Sequence, residues 1–425
     1  MRRGWMLVSL LMAAAPAAGQ TAPPKKDDKP PIRFVWSDRP SFRAGVFRLD
    51  LRVKLKGDFR QADQDLEDQG GRYETTLKRV ALDGSITNRV DFQIERELQR
   101  NNPWRDVFVN VRIATPLEVR AGKFKVPFGY ERLTGVGDLD FAFRTLLSDI
   151  IAPGRDVGVQ LHGGLFRRIM TYQAGVFRHD GDNARLREEV FLLPGEPTQK
   201  PDRSVAARVA FEPLRHSSGP RDLRRLYLGV AFTQSDVPEG LNSLHAQSLF
   251  GSEFFERMYV LGHRRRLGTE AVWMPGPFSV KSEYARANEQ RKRQGLLDDD
   301  ISDFVTSAWY VSGTWALTGE RKDNGIEPRK PIFQGGLGAV ELGARYERIG
   351  FGSALKQGTP FVNPRADPVL ENAETVWTLG VNWYLNKWGK VVVNGVRESF
   401  QDPERTAVPG RPTNWAAVLR LQFVM

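Results

Sequence analysis

The side chains that could carry out chemistry in this chain are of few kinds. Its five histidines, His162, His179, His216, His245 and His263, are scattered, and no H-E-x-x-H run sets two imidazoles on one helical face beside a metal. The glycine pairs Gly135 with Gly137 and Gly336 with Gly338 lack the third glycine of a dinucleotide-binding turn. No P-loop and no G-x-S-x-G elbow occurs either. These glycines read as turns and close strand approaches. The expectation is a chain that is not an enzyme, with no metal and no cofactor. A Ser and a His could still meet across strands without a motif, so a hydrolase built on the same framework is the alternative from a different class.

Fixed charge is what the sequence has in quantity. From Phe47 to Lys56, the apolar Phe47, Leu49, Leu51, Val53 and Leu55 alternate with Arg48, Asp50, Arg52, Lys54 and Lys56. A period of two places the sets on opposite faces of a strand. One face wants lipid or a core, and the other wants water. Charges lining a narrow wet passage bias which ions enter it. By the same alternation the candidate water-facing residues are Arg48, Asp50, Arg52, Lys54, Arg89, Arg112, Arg120 and Arg420.

The elements that must position those residues recur along the whole chain. Val90, Phe92 and Ile94 alternate with Asp91, Gln93 and Glu95; Val107, Val109, Val111 and Ile113 with Asp106, Phe108, Asn110 and Arg112; and Trp415, Ala417, Leu419, Leu421 and Phe423 with Ala416, Val418, Arg420 and Gln422. Counting such segments gives about 16 strands, an even number as in bacterial transmembrane barrels. Connections alternate in length. Short ones are expected at Leu82-Asp83-Gly84-Ser85, Ala114 to Pro116, Pro275 to Pro277 and Asn386 to Gly389. Long ones are expected at 57–71, 125–154, 179–202, 235–262, 289–303, 350–373 and 400–411. Tight turns on one rim and long loops on the other suit an all-β, transmembrane antiparallel barrel. A secreted sandwich or solenoid also alternates, but gives no reason for the loop lengths to do so. Thr318 to Gln334 breaks the pattern, being long where a short turn is due. Trp377, Trp383, Trp388 and Trp415, near strand ends, suit the aromatic belts at membrane interfaces.

Composition agrees with this reading. The net formal charge is +11, and removing a leader with Arg2 and Arg3 but no acid lowers it to +9. Acids and bases are interleaved, and no motif points to nucleic acid. Residues 1–19 read as a signal peptide, with Arg2 and Arg3, an apolar run from Trp5 to Ala15, and a small-residue end at Ala17-Ala18-Gly19. Residues 20–41, rich in proline and charge over 22–31, read as a periplasmic tether, and 42–425 as the barrel. With no cysteine, no disulfide staples an exported chain, so its size must stabilise it. A mean hydropathy of −0.42 is compatible with a barrel, in which only alternate residues face lipid.

Leu117 to Gly129 (LEVRAGKFKVPFG), Arg155 to Gly163 (RDVGVQLHG), Ala308 to Glu320 (AWYVSGTWALTGE), Glu341 to Tyr346 (ELGARY) and Leu379 to Leu385 (LGVNWYL) together resemble the phosphate-selective porin O and P family. The resemblance implies a 16-stranded outer-membrane barrel, usually a homotrimer, that meets outer-membrane lipids and the barrel-assembly machinery and passes small anions such as phosphate by diffusion. It also implies that a long third loop, here 125–154, folds into the lumen. Lys125, Arg132, Arg144, Asp138 and Asp140 are then the constriction candidates. Leu139, Phe143, Leu146, Leu147 and Ile150 have helical spacing for a short helix against the inner wall. Two features depart from the family. The loop's Glu131, Asp138, Asp140 and Asp149 outnumber Arg132 and Arg144, which opposes the basic first strand of Arg48, Arg52, Lys54 and Lys56 and leaves an expectation of weak general anion preference rather than tight phosphate binding. The chain also ends Gln422-Phe423-Val424-Met425 rather than on an aromatic. A barrel whose long loops chiefly bind partners remains the other reading, and a plugged barrel would pass no current.

Overall fold

In the computed structural model, the described residues are 32–36, 38–63, 73–98, 104–182, 203–220, 223–295, 297–322, 325–354, 366–406 and 408–425. The leader read at 1–19 and most of the stretch read as a tether lie outside them. Sixteen antiparallel strands close into a barrel: β1 Phe47–Ala62, β2 Tyr73–Ile86, β3 Val90–Glu97, β4 Trp104–Ala114, β5 Leu117–Lys125, β6 Arg155–Leu165, β7 Met170–Phe177, β8 Ser204–Phe211, β9 Leu226–Leu241, β10 Tyr259–Trp273, β11 Phe278–Arg291, β12 Ile301–Ala316, β13 Ala339–Ser353, β14 Asn372–Tyr384, β15 Gly389–Phe400 and β16 Thr413–Val424. Each pairs with the next, and β16 closes on β1 from Ala416 opposite Ala62 to Val424 opposite Lys54. The main chain of Met425 exchanges two hydrogen bonds with Val53. The terminal Met is thus accommodated by the backbone, while Phe423 keeps an outward position. A short hairpin, Arg33–Trp36 with Pro40–Ala44, pairs with the first residues of β1 and extends the wall at the turn rim.

The alternation read from the sequence has an inside-out consequence. On β13 the lumenal Glu341, Arg345 and Glu347 are buried, while the outward Leu342 is 40% exposed. Such a distribution makes sense only if lipid covers the outside. The strands tilt. The paired row Leu51, Leu82, Ile94, Val107, Lys123, Val157 starts near the turn rim of β1 and ends three residues inside the loop rim of β6.

One turn lies elsewhere than expected. Leu82 to Ile86 continue β2, with Gly84 opposite Leu49, and the chain reverses at 87–89. Gly84 is not a turn glycine. A Cβ there would stand 2.0 Å from the Phe92 ring, so the missing side chain gives that outward ring its place. β1 likewise runs through 57–62, where a loop was expected.

Among the described residues, three connections turn inward. Loop 126–154 packs Phe128, Leu146, Leu147 and Ile151 against lumenal Ala285, Ala287, Ala308, Ile349 and Val376. Its Phe141 lies over Gly343 and Gly380, where added Cβ atoms would stand 3.1 and 3.3 Å from the ring. The helix expected there is confined to one wide turn, Leu147–Ile151, in which Ala152 N bonds Leu147 O. Leu139 and Phe143 lie outside it, because their backbone groups bond to the wall instead. The loop between β9 and β10 forms a small hairpin, Ala246–Gln247 with Glu253–Phe255, whose Phe254 and Phe255 stack among Phe304, Phe351 and Phe400. From the turn rim, the long connection after β12 folds back so that Lys322 is buried in the lumen and Ile326 packs on Ala316, Ala339 and Tyr384.

Candidate functional site: a charged lumenal constriction

A buried loop inside a wet barrel must find partners for its backbone polar groups. Charged wall residues supply them. Lys56 donates to Val136 O (2.5 Å), Lys125 to Leu133 O and Thr134 O (3.0 and 2.8 Å), Lys390 to Leu139 O (2.7 Å) and Arg345 to Phe143 O (3.0 Å). Arg420 donates to Ala142 O, and the amides of Asn382 and Gln422 cap Asp140 O and Gly137 O. In return, Glu283 accepts from the backbone N–H groups of Tyr130 and Glu131 at 2.7 and 2.8 Å, and Glu347 from that of Leu146 at 2.7 Å. Wall cations therefore hold the loop by its carbonyls and wall carboxylates hold it by its N–H groups.

Between this loop and the side of the barrel from β1 to β11 lies a cavity of about 630 Å³. Nine basic side chains line it: Arg52 and Lys54 on β1, Arg79 on β2, Arg120 and Lys125 on β5, Arg155 on β6, Arg208 on β8, Lys281 on β11, and Lys322 from the connection after β12. Among the described residues only two acids do, Asp106 and Asp138, and Phe108, Phe124, Tyr130 and Tyr227 also line it.

Most of these cations already hold a carboxylate. Arg52 pairs with Asp83 at 3.0 Å, Lys54 with Glu95 at 2.6 Å, Arg79 with Glu97 at 2.6 Å and Arg155 with Asp106 at 2.7 Å. Arg208 pairs with Glu270 at 2.6 Å, and Lys281 and Lys322 each hold Asp140 at 2.7 Å. Arg120 and Lys125 differ. The Arg120 guanidinium lies 4.6 Å from the Phe108 ring centroid and 5.6 Å from that of Phe124. Lys125 bonds only loop carbonyls. Among the described residues neither has a carboxylate within ion-pair distance, so two cationic charges face the cavity without a directly paired acid.

The loop's own acids are mostly turned away from the cavity. Glu131 accepts from Thr145 and Ser148 and lies 3.6 Å from Arg345. Asp149 pairs with Arg132 at 3.1 Å. Burial raises the Asp140 carboxyl, but the Lys281 and Lys322 ammonium groups outweigh this and hold it well below the usual carboxylate range. Asp138 faces the cavity, and burial pushes its carboxyl above the usual range despite nearby lysines.

The sequence candidates separate accordingly. Arg52, Lys54, Arg120, Lys125 and Asp138 come together at the cavity. Arg48 and Asp50 form a 2.6 Å pair in a separate vestibule at the turn rim, and Arg112, bonded to Asp91 at 2.7 Å, stands near that rim. Arg89 is an exposed turn residue, because the reversal falls at 87–89. Arg420 faces the lumen but is buried, bound by both guanidinium edges to Asp58 and to the loop, so it anchors the loop rather than lining open water. Arg144 and Arg132 are likewise internal to the loop, with Arg144 donating to Glu131 O and Thr134 O. The sequence reading missed Arg79, Arg155, Arg208, Lys281 and Lys322. Arg79, Arg208 and Lys281 sit on lumenal strand positions that alternation could have named, whereas Arg155, the first residue of β6, shares the parity of the outward Val157 and Val159 and reaches the cavity only at the strand's end. Lys322 had one signal, the overlong connection itself.

The sequence profile described as phosphate-selective porin O and P matches residues 47–210 and 247–425. An uncharacterized protein of Caulobacter vibrioides is 24% identical over 355 residues, covering 79% of this chain and 68% of that protein. Among solved structures, an anion-selective porin from Comamonas acidovorans superposes with a TM-score of 0.53 at 12% identity, over 89% of this chain and all of that one. The in-vitro folded OmpT of Vibrio cholerae in its trimer form does so with a TM-score of 0.50 at 12% identity, again over 89% and 100%.

Proposed function

We propose, from the premise that this chain belongs to the phosphate-selective porin O and P family and is a porin of the Gram-negative outer membrane, that it conducts small anions by passive diffusion with a weak, general preference. Phosphate is among the anions it passes. One observation carries the reading: Arg120 and Lys125 face the constriction cavity without a carboxylate partner, in a ring of nine bases against two acids. A low-dielectric wall focuses the field of such charges into the water path and raises the local anion concentration. The other seven bases are paired, which argues against tight capture of a single ion.

In this reading the leader is cleaved near Gly19, the stretch before the Arg33–Trp36 and Pro40–Ala44 hairpin tethers the barrel on the periplasmic side, and the barrel-assembly machinery inserts the chain. The working unit is a homotrimer, the form in which the similar OmpT was solved. Reversal potentials across a KCl gradient in planar bilayers test the proposal. Anion preference that fades between 0.1 and 1 M salt is expected, as the screening length shrinks from about 10 to about 3 Å. Cation preference at low salt would refute it, and absence of current would favour a plugged, partner-binding barrel.

A further inference from the structure

The outward face of the barrel carries a second group of unpaired cations. Arg265 on β10, Arg286 on β11, Arg348 on β13 and Arg397 on β15 are all exposed and all point away from the lumen. Their polar partners are neutral. Arg265 donates to Gln234 at 3.0 Å, Arg286 to Asn288 at 2.9 Å, and Arg348 to Thr375 and Gln401 at 3.1 Å each. The Arg397 guanidinium lies 5.6 Å from the Trp415 centroid. Among the described residues none of the four pairs with a carboxylate.

The register sets them at one height. Crossing one strand along a paired row climbs about 3 Å toward the loop rim, and one residue along a strand rises about 2.5 Å along the barrel axis, for strands 4.8 Å apart tilted about 40°. The row from Arg286 runs through Ser307 to Gly350, two residues beyond Arg348. The row from Arg348 runs through Thr375 to Ser399, two residues beyond Arg397. In each case a climb of about 6 Å is cancelled by a descent of about 5 Å. Arg265 pairs with Asn288, two residues beyond Arg286, which puts it within about 2 Å of the same level. Tryptophans share the belt: Trp309 is directly across from Arg348, and Trp377 and Trp415 flank Arg397. The outward carboxylate Asp303 stands about 10 Å nearer the loop rim, by the row from Arg265 through Asn288 to Val305.

That height has a physical meaning. From Arg265 to Trp273, and from Arg286 to Phe278, eight residues span about 20 Å, close to the apolar band of an outer-membrane barrel, with aromatics at its far edge. The guanidinium groups therefore sit at the headgroup level of the outer leaflet, beyond reach of the solute path. We propose that this arginine and tryptophan belt on β10 to β15 binds the phosphate groups of the glycolipid that forms the outer leaflet. Arg presents a planar fork to phosphate, and each neighbouring indole packs on the sugar and acyl junction.

The test is native mass spectrometry of the full-length mature protein in mild detergent, titrated with bisphosphorylated lipid A and with the same lipid dephosphorylated. Arg286→Gln, Arg348→Gln and Arg397→Gln, singly and combined, are compared with Arg89→Gln at the turn rim and with the triple Arg→Lys variant. Each belt Gln substitution should weaken phosphorylated lipid A about fivefold. Dephosphorylated lipid binding, single-channel conductance and the Arg89→Gln variant should be unaffected, and the Lys variant should keep most of the affinity. The proposal is overturned if the triple Gln variant binds phosphorylated lipid as wild type does, if it loses both lipids equally, or if it changes oligomeric state instead. If the triple variant does not assemble, the single variants carry the same comparison.

Discussion

Replacing Arg120 by Gln takes one positive charge out of the constriction without uncovering an acid, because the guanidinium rests on Phe108 and Phe124 rather than on a carboxylate. For an ion about 6 Å away in water, that charge is worth about 0.7 kcal/mol, reduced to about 0.4 by a screening length of about 10 Å at 0.1 M salt. Anion occupancy then falls about twofold and cation occupancy rises about twofold, so the permeability ratio drops about fourfold. At 1 M, with a screening length of about 3 Å, the same change leaves a ratio within about 1.5-fold of wild type. The assay is the zero-current potential across a KCl gradient at both strengths. Arg208→Gln is the contrasting variant: it leaves Glu270 buried without its guanidinium, so lost assembly should precede any selectivity change. If Arg120→Gln keeps wild-type conductance and its reversal potential at 0.1 M does not move, unpaired lumenal charge does not set selectivity here and the reasoning fails.

Other outcomes follow from the same contacts. Arg420→Ala leaves buried Asp58 with only Arg60 at 3.5 Å and removes the donor to Ala142 O, which should cost about 3 kcal/mol and show as flickering or enlarged conductance from a loosened loop. Leu55→Arg puts a charge on the lipid face well inside the apolar band at about 2–4 kcal/mol, so heat-modifiable barrel yield should fall much more than for Arg52→Leu; equal yields would mean that β1 is in another register. The carboxyl of Asp138 is held above the ordinary range by burial, so it takes up its proton early as pH falls. Anion preference should therefore rise as pH falls from 7 to 4, and Asp138→Asn should show the raised preference at pH 7 and a smaller rise on acidification.

The strand plan was legible in the sequence because each strand has one solvent on each side. Where Val107, Val109 and Val111 alternate with Asp106 and Asn110, no other placement satisfies both faces. Gly84 misled for a definite reason: the Asp-Gly pair is a strong local turn signal, but a ring from the neighbouring strand needed the space above that glycine. The inward course of loop 126–154 was not legible from its own residues. What holds it is distributed over β1, β5, β11, β13, β15 and β16, in side chains such as Lys56, Glu283 and Arg420 that read locally only as polar strand positions. Alternation gives the face of a residue, not whether water or protein will cover it. For the same reason Arg52, which meets the cavity, and Arg420, which is buried beneath the loop, looked alike.

The acidic loop and the anion path are compatible once pairing is followed residue by residue. Charge counted along 126–154 suggests a negative constriction, yet Asp140 is consumed by Lys281 and Lys322, Asp149 by Arg132, and Glu131 by hydroxyls beside Arg345. Of these contacts, the Asp140 pairs and the approach of Glu131 to Arg345 reach beyond the loop and add to the hold of the wall on its backbone, while the others brace the loop internally. A loop rich in arginine instead would have met a wall that already presents cations, with nothing to neutralise either side at close range. The acids let the loop dock against a basic wall, and Lys322 reaches in from the opposite rim to complete the Asp140 site. The docked loop then leaves Arg120 and Lys125 at the water's edge, one resting on aromatic faces and the other on carbonyls. Selectivity in this arrangement depends on which charges remain uncompensated after docking rather than on the formal charge of the loop, and a substitution at Arg120 should therefore move it further than its single unit of the total +11 suggests.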